Sequence, residues 1–153
     1  MMHGPPERRR ALHGLGALLL IAAVPPAAAV TDADLLPPER AFRFSALALD
    51  AGRLELRYTV APGYYLYRDK FRFQADAAAL GTAVLPPGQS RRDAFFGEVE
   101  IYRGRFRILL PFTAPAGVTR IELRVLSQGC ADVGVCYPPY EHRVELRVRR
   151  SRA

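Results

Sequence analysis

Two cysteines are the residues best equipped for chemistry in this chain. Cys130 and Cys136 stand in Gln128-Gly129-Cys130-Ala131-Asp132-Val133-Gly134-Val135-Cys136-Tyr137-Pro138-Pro139, between two strand-like runs. A pair this close can form a disulfide across a tight turn. As a staple the bond is modest: closing so short a loop is worth about 2 kcal/mol in the chain-entropy model. Long-range clamps gain more from loop closure. Gly129 and Gly134 suit a tight turn with exposed backbone at a sheet edge, where a partner can reach the sulfurs. Tyr137-Pro138-Pro139 stiffens the exit, and neither proline offers an N–H to a strand ladder. Small loops of restricted geometry tend to hold reducible disulfides. Two uses therefore stand side by side, a structural staple and a thiol–disulfide exchange pair.

Other chemistries need more than the sequence offers. The histidines are His3, His13 and His142. Cys130, Cys136 and His142 would make three metal ligands, but their spacing matches no zinc pattern. A cysteine hydrolase needs a base, and His142, on a strand beyond two prolines, is expected to face solvent. No metal and no organic cofactor are expected.

The N-terminus points to an oxidising compartment. Arg8, Arg9 and Arg10 precede an apolar run from Leu15 to Val24, then Pro25-Pro26 and Ala27-Ala28-Ala29. Residues 1–29 read as a signal peptide cleaved near Ala29, leaving a single exported domain over 30–153. The apolar run is short for a membrane span, and no lipobox cysteine follows. In an oxidising compartment the two cysteines can pair. The formal charge of the whole chain is +7. Removing Arg8, Arg9, Arg10 and Glu7 lowers it by two, to +5. Lys70 is the only lysine, and the arginines alternate with apolar residues along strands. That pattern fits a solvated basic sheet face and argues against nucleic acid as a partner.

The elements that must position the pair are strands. Thr31 to Arg40 reads as a polar N-terminal arm. Ala41 to Leu49 and Arg53 to Val60, joined by Asp50-Ala51-Gly52, form an expected hairpin with Leu54, Leu56, Tyr58 and Val60 on one face. Pro62-Gly63 breaks the pattern before Tyr64-Tyr65-Leu66-Tyr67. Lys70 to Gln74 alternates around Phe71 and Phe73. Thr82 to Leu85 suggests a short strand, and Arg91 to Gly97 a polar-aromatic loop. Val99 to Tyr102, Arg105 to Phe112, Val118 to Leu126 and Tyr140 to Arg149 complete about eight short strands with no convincing helix. The pattern predicts an all-β, immunoglobulin-like antiparallel sandwich, with a small barrel as the alternative.

Three blocks then carry a family resemblance: Gly63-Tyr64-Tyr65-Leu66-Tyr67-Arg68, Phe95-Phe96-Gly97-Glu98 with Glu100-Ile101-Tyr102-Arg103, and the cysteine motif through Pro139. From about Pro38 to Val148 the chain resembles the N-terminal periplasmic domain of the bacterial thiol:disulfide interchange protein DsbD. The resemblance implies an immunoglobulin-like sandwich with the redox pair on a hairpin at one end. It implies a periplasmic electron relay with thioredoxin-fold partners of the disulfide-isomerase or cytochrome c maturation type. By the match, Cys136 forms the intermolecular mixed disulfide and Cys130 resolves it. Asp93 to Gly97 is a cap loop with Phe95 as its shielding ring, and Tyr65 and Tyr67 surround the pair. Without the resemblance, Phe95 and Phe96 read as loop anchors under a sandwich edge.

The chain also departs from the pattern. Ala94 stands where many members carry a second acidic residue. The family protein continues into a transmembrane electron-transfer domain and a thioredoxin-like domain. A chain ending at Ala153 is expected to be a free-standing monomer that needs a separate membrane thiol electron transporter. Asp132 lies between the cysteines and Asp93 is expected nearby; carboxylates disfavour a thiolate, so neither cysteine is expected to be strongly activated at rest. The rival expectations are a non-catalytic immunoglobulin-like binding module or assembly chaperone with a structural disulfide, and a metal-handling protein using both thiols.

Overall fold

Alternation of apolar and polar residues marks the longer strands. The computed structural model describes residue 1 and residues 35–148. The signal-peptide reading of residues 1–29, Met1 apart, lies outside the described residues. The first element, the helical turn α1 (Pro38–Ala41), begins on a proline, whose fixed φ suits a first turn, and a 3-10 turn spans Arg68–Lys70. Twelve strands follow among the described residues. They are β1 (Phe42–Ala48), β2 (Arg53–Val60), β3 (Tyr64–Tyr67), β4 (Arg72–Ala75), β5 (Ala79–Leu80), β6 (Gln89–Asp93), β7 (Gly97–Tyr102), β8 (Arg105–Thr113), β9 (Arg120–Ser127), β10 (Gly129–Ala131), β11 (Val135–Cys136) and β12 (Tyr140–Arg147).

The strands form three antiparallel sheets, ordered β1-β2-β8-β5, β11-β10-β3-β7-β6 and β12-β9-β4. The all-β antiparallel expectation holds. The β1–β2 hairpin forms in the register the alternation implies, from Phe42 opposite Val60 to Ala48 opposite Leu54. Its turn is fixed by Asp50, whose carboxylate accepts from the Gly52 amide at 2.9 Å. The inward sides of the three sheets share one core that includes Leu54, Leu56, Tyr58, Ile108, Leu123 and Val125.

Three local expectations are corrected. Of the loop expected over Arg91 to Gly97, residues 91–93 belong instead to strand β6, whose backbone pairs with β7 from Gln89–Ile101 to Asp93–Gly97. Thr82 to Leu85 contributes only a single bridge, Val84 opposite Leu109. His142 does not face solvent. It shares a strand face with Val144 and Leu146, stacks on Phe44 at 4.7 Å, and meets Tyr58 edge-on at 5.6 Å.

Strand β3 positions the cysteines. All four of its residues are buried, although a sandwich strand ordinarily buries one face. Tyr64 and Leu66 join the main core. Tyr65 and Tyr67 point the other way and build a second, smaller core with Ile101 and Cys130, flanked by Val99 and Cys136.

Candidate functional site

Strands β10 and β11 form the hairpin that carries the pair. Cys130 and Cys136 stand directly opposite each other in its register. The neighbouring residues Gly129 and Tyr137 are hydrogen-bonded, the Tyr137 amide donating to the Gly129 carbonyl at 2.9 Å. The cysteines therefore occupy a non-hydrogen-bonded position, where facing side chains come closest. Their Cα atoms are 3.9 Å apart and the disulfide is formed. Gly134, at φ +89°, closes the loop between them.

Gly129 serves a different purpose from the exposed turn expected for it. It is buried where β10 pairs closely with β3, and a Cβ there would lie 2.2 Å from the Tyr65 carbonyl oxygen. Only a residue without a side chain permits this approach, which pairs Cys130 with Tyr65 across the β10–β3 ladder.

The two sulfurs differ in access. Cys130 is 0% exposed, whereas Cys136, on the short edge strand β11, is half-buried. A groove of about 340 Å³ runs beside Cys136, lined by Leu35, Leu36, Pro37, Val135, Tyr137 and Pro138. Tyr137 holds the wall of this groove by donating its hydroxyl proton to the Leu36 carbonyl at 2.5 Å.

Beneath the pair, Tyr65 and Tyr67 converge on Asp93. Their hydroxyls donate to Asp93 Oδ2 at 2.7 Å and 2.9 Å. Asp93 Oδ1 accepts the Phe95 and Phe96 amides at 2.8 Å and 3.2 Å, which fixes the tight β6–β7 turn, closed by Gly97 at φ +75°. Asp93 is only 6% exposed. Burial pushes its pKa up, but the Tyr65 hydroxyl, the Phe95 amide and the remaining donors outweigh this and hold the carboxyl below its usual range. Burial raises the pKa of Tyr65, and the Asp93 carboxylate adds to it. Burial also raises that of Tyr67, with the adjacent Tyr65 and the Asp93 carboxylate acting in the same direction.

Tyr67 links this hub to the sulfurs. Its hydroxyl lies 3.1 Å from Cys130 Sγ and 3.8 Å from Cys136 Sγ. A hydroxyl has one proton, and an ionised carboxylate can only accept. With the proton directed to Asp93, the hydroxyl presents a lone pair to Cys130. Once the disulfide is reduced, the Cys130 thiol can donate to that lone pair, an arrangement that favours its protonated form.

The aromatic residues of the β6–β7 turn divide differently from a simple shield. The Phe96 ring meets Tyr67 edge-on at 5.1 Å, and Lys70 Nζ sits 4.3 Å from its centroid. Phe95 is 58% exposed, against 44% for Phe96. Asp132 is not a free carboxylate near the cysteines. Arg103 grips both of its oxygens at 2.9 Å and 2.6 Å, and Arg91 adds a contact at 3.3 Å. Sequence reasoning passed over Arg91 and Arg103. One usable signal was parity, since Arg91 lies two residues before Asp93 on the same face of β6.

The model of the family described as "Thiol:disulfide interchange protein DsbD, N-terminal" matches residues 32–148. The chain belongs to this family. It is 47% identical over 116 residues to the thiol:disulfide interchange protein DsbD 2 of Pseudomonas aeruginosa, covering 76% of this chain and 19% of that protein. It is 42% identical over 140 residues to the DsbD of Ralstonia nicotianae, covering 90% of this chain and 23% of that one. The chain thus spans about a fifth of the length of these curated relatives. Among solved structures, it resembles the reduced N-terminal domain of Neisseria meningitidis DsbD, with a TM-score of 0.68 and 34% identity over 77% of this chain and 94% of that one. The same domain in complex with the N-terminal domain of PilB aligns with a TM-score of 0.63 and 34% identity, over 73% and 87%. The fold is accordingly the immunoglobulin-like sandwich expected from the sequence, with the disulfide hairpin at one end.

Proposed function

We propose that this domain is a periplasmic thiol–disulfide exchange module that relays electrons through a reversible Cys130–Cys136 disulfide. The observation that carries the reading is the unequal access of the two sulfurs. An incoming thiolate needs an in-line path to the sulfur it attacks. Cys136 borders an open groove, whereas Cys130 is fully buried against the Tyr67 hydroxyl.

The exchange balances as follows. A donor thiolate attacks Cys136 Sγ, a mixed disulfide forms, and Cys130 leaves and takes up a proton. The donor's second thiolate then attacks its own sulfur in the mixed disulfide and releases Cys136. Two electrons have entered the domain and the donor is oxidised to a disulfide. Toward a client the steps reverse: Cys136 attacks the client disulfide and Cys130 resolves the mixed species. In this scheme the β6–β7 turn, with Asp93, Phe95 and Phe96, acts as a cap, and Tyr65 and Tyr67 form the floor. Partners of thioredoxin fold are favoured by the PilB complex formed by the Neisseria domain. The upstream donor is a membrane thiol electron transporter.

Trapping tests the assignment. Cys130→Ser leaves Cys136 to capture a thioredoxin-fold partner as a stable mixed disulfide, and Cys136→Ser captures little. The reverse pattern would exchange the two roles. The complete burial of Cys130 favours one rival, a binding module with a structural disulfide. A reduction potential below about −300 mV would decide for that rival.

A further inference from the structure

We propose that Arg91 and Arg103 are positioning residues of the exchange site, which neutralise Asp132 and so set how readily Cys136 ionises. The proposal rests on the relay reading above only for its biological consequence, because the ionisation itself is measurable in any case.

Asp132 is one of the five residues between the cysteines and the only charged one. Its amide donates to the Gly63 carbonyl at 2.8 Å, so the backbone holds it beside β3. Arg103 meets the carboxylate as a two-pronged fork, and one of its Nη1 protons also reaches the Tyr64 carbonyl at 3.1 Å. Arg91 approaches Oδ1 from strand β6 at 3.3 Å. Both guanidinium groups lie against the Tyr65 ring, 4.5 Å and 5.2 Å from its centroid. Tyr65 in turn pairs with Cys130 through the backbone. The clamp therefore reaches from the edge strand β6, past β7 and β3, to the loop of the cysteine hairpin.

Three charges of fixed position sit there, two positive and one negative. Bidentate guanidinium–carboxylate geometry fixes orientation as well as charge, so the carboxylate stays turned to the arginines. A carboxylate released at this place would oppose a thiolate on the same hairpin, and an arginine released there would favour one. Asp93 bears on Cys130 from below through Tyr67, and its hydrogen bonds do not involve the clamp.

The test uses opposite-signed predictions. In the reduced protein, the pKa of each thiol is read by nuclear magnetic resonance of labelled cysteine Cβ. Asp132→Asn is near-isosteric and leaves two uncompensated cations, so the Cys136 pKa falls. Arg103→Gln leaves Asp132 with only the weaker Arg91 contact, so it rises. Each shift is expected to be about half a pH unit, threefold in thiolate fraction, for charges on a partly exposed loop. The double variant restores the wild-type net charge and returns the pKa to near its starting value. Shifts of the same sign in both single variants, or no shift in either, would overturn the proposal in favour of a merely structural clamp. Thermal melts accompany each variant so that a loss of fold is seen as such. Failure of Cys136 to trap a partner in the Cys130→Ser variant would sink the relay reading and leave this result standing.

Discussion

Gly129 and Gly134 flank the same disulfide hairpin but are glycine for different reasons. A Cβ at 129 would meet the Tyr65 carbonyl oxygen at 2.2 Å, the Phe42 ring at 2.9 Å and Leu66 at 3.0 Å. The first contact is backbone and cannot swing aside. At 134 there is open space, and only the positive φ of 89° disfavours a side chain. Gly129→Ala is therefore expected to lose about 3 kcal/mol or more by forcing β10 off β3. Gly134→Ala should lose about 1 kcal/mol, the ordinary cost of a left-handed residue. Urea unfolding of the oxidised protein measures both. Equal losses would show that strand approach does not dictate glycine at 129. The sequence alone assigns both glycines to one turn, because the pairing of β10 with β3 joins residues more than sixty positions apart.

At the scale of elements, the β6–β7 turn decides how well the sulfurs are sheltered. Its backbone is tied to Asp93, and its contact with the floor is the Phe96 ring on Tyr67. An edge-to-face ring contact is worth about 1 kcal/mol. Removing it in Phe96→Ala should raise the open population, and with it the reduction rate by a small thiol such as dithiothreitol, about fivefold. The family resemblance gives the shielding role to Phe95 instead. Phe95→Ala as the faster variant would support that assignment, and unchanged rates in both would remove the cap from the mechanism. The strands on either side show what a sequence can reveal. Clean alternation from Leu54 to Val60 fixes β2 and its buried face. Gln89–Asp93 carries no such alternation, since it is an edge strand with polar residues throughout, and only pairing with β7 makes it a strand. The i, i+2 relation of Tyr65 and Tyr67 was legible; the arginines gathered around Tyr65 from β6 and from beyond β7 were not, because no local period connects them.

Across the whole molecule, the disulfide site lies on the outward face of β3 and the main core on its inward face. Acid sensitivity is a property of the core. The histidines of the chain are His3, His13 and His142, and residues 35–148 contain only the last. The His142 ring is packed among Phe44, Tyr140 and Tyr58, and its Nε2 is buried without a hydrogen-bond partner. Burial lowers its pKa from 6.5 to about 4. The unfolded chain binds a proton at His142 as pH falls below about 6.5, while the folded domain refuses it until about pH 4. Stability tied to this residue is thus fully present above pH 6.5 and is lost as pH falls toward 4. Allowing for partial exposure of the ring, the loss is about 2 kcal/mol. Asp93 and Asp132, both held below the usual carboxylate range, add their losses only lower, as pH falls through the acid range below about 4. Between pH 7 and 5 the slope should therefore belong to His142. Urea unfolding free energies at pH 7, 6 and 5 are expected to decline in the wild-type domain and to flatten in His142→Leu. A wild-type profile that is level across this interval would mean that the folded domain accepts the proton on His142 without resistance.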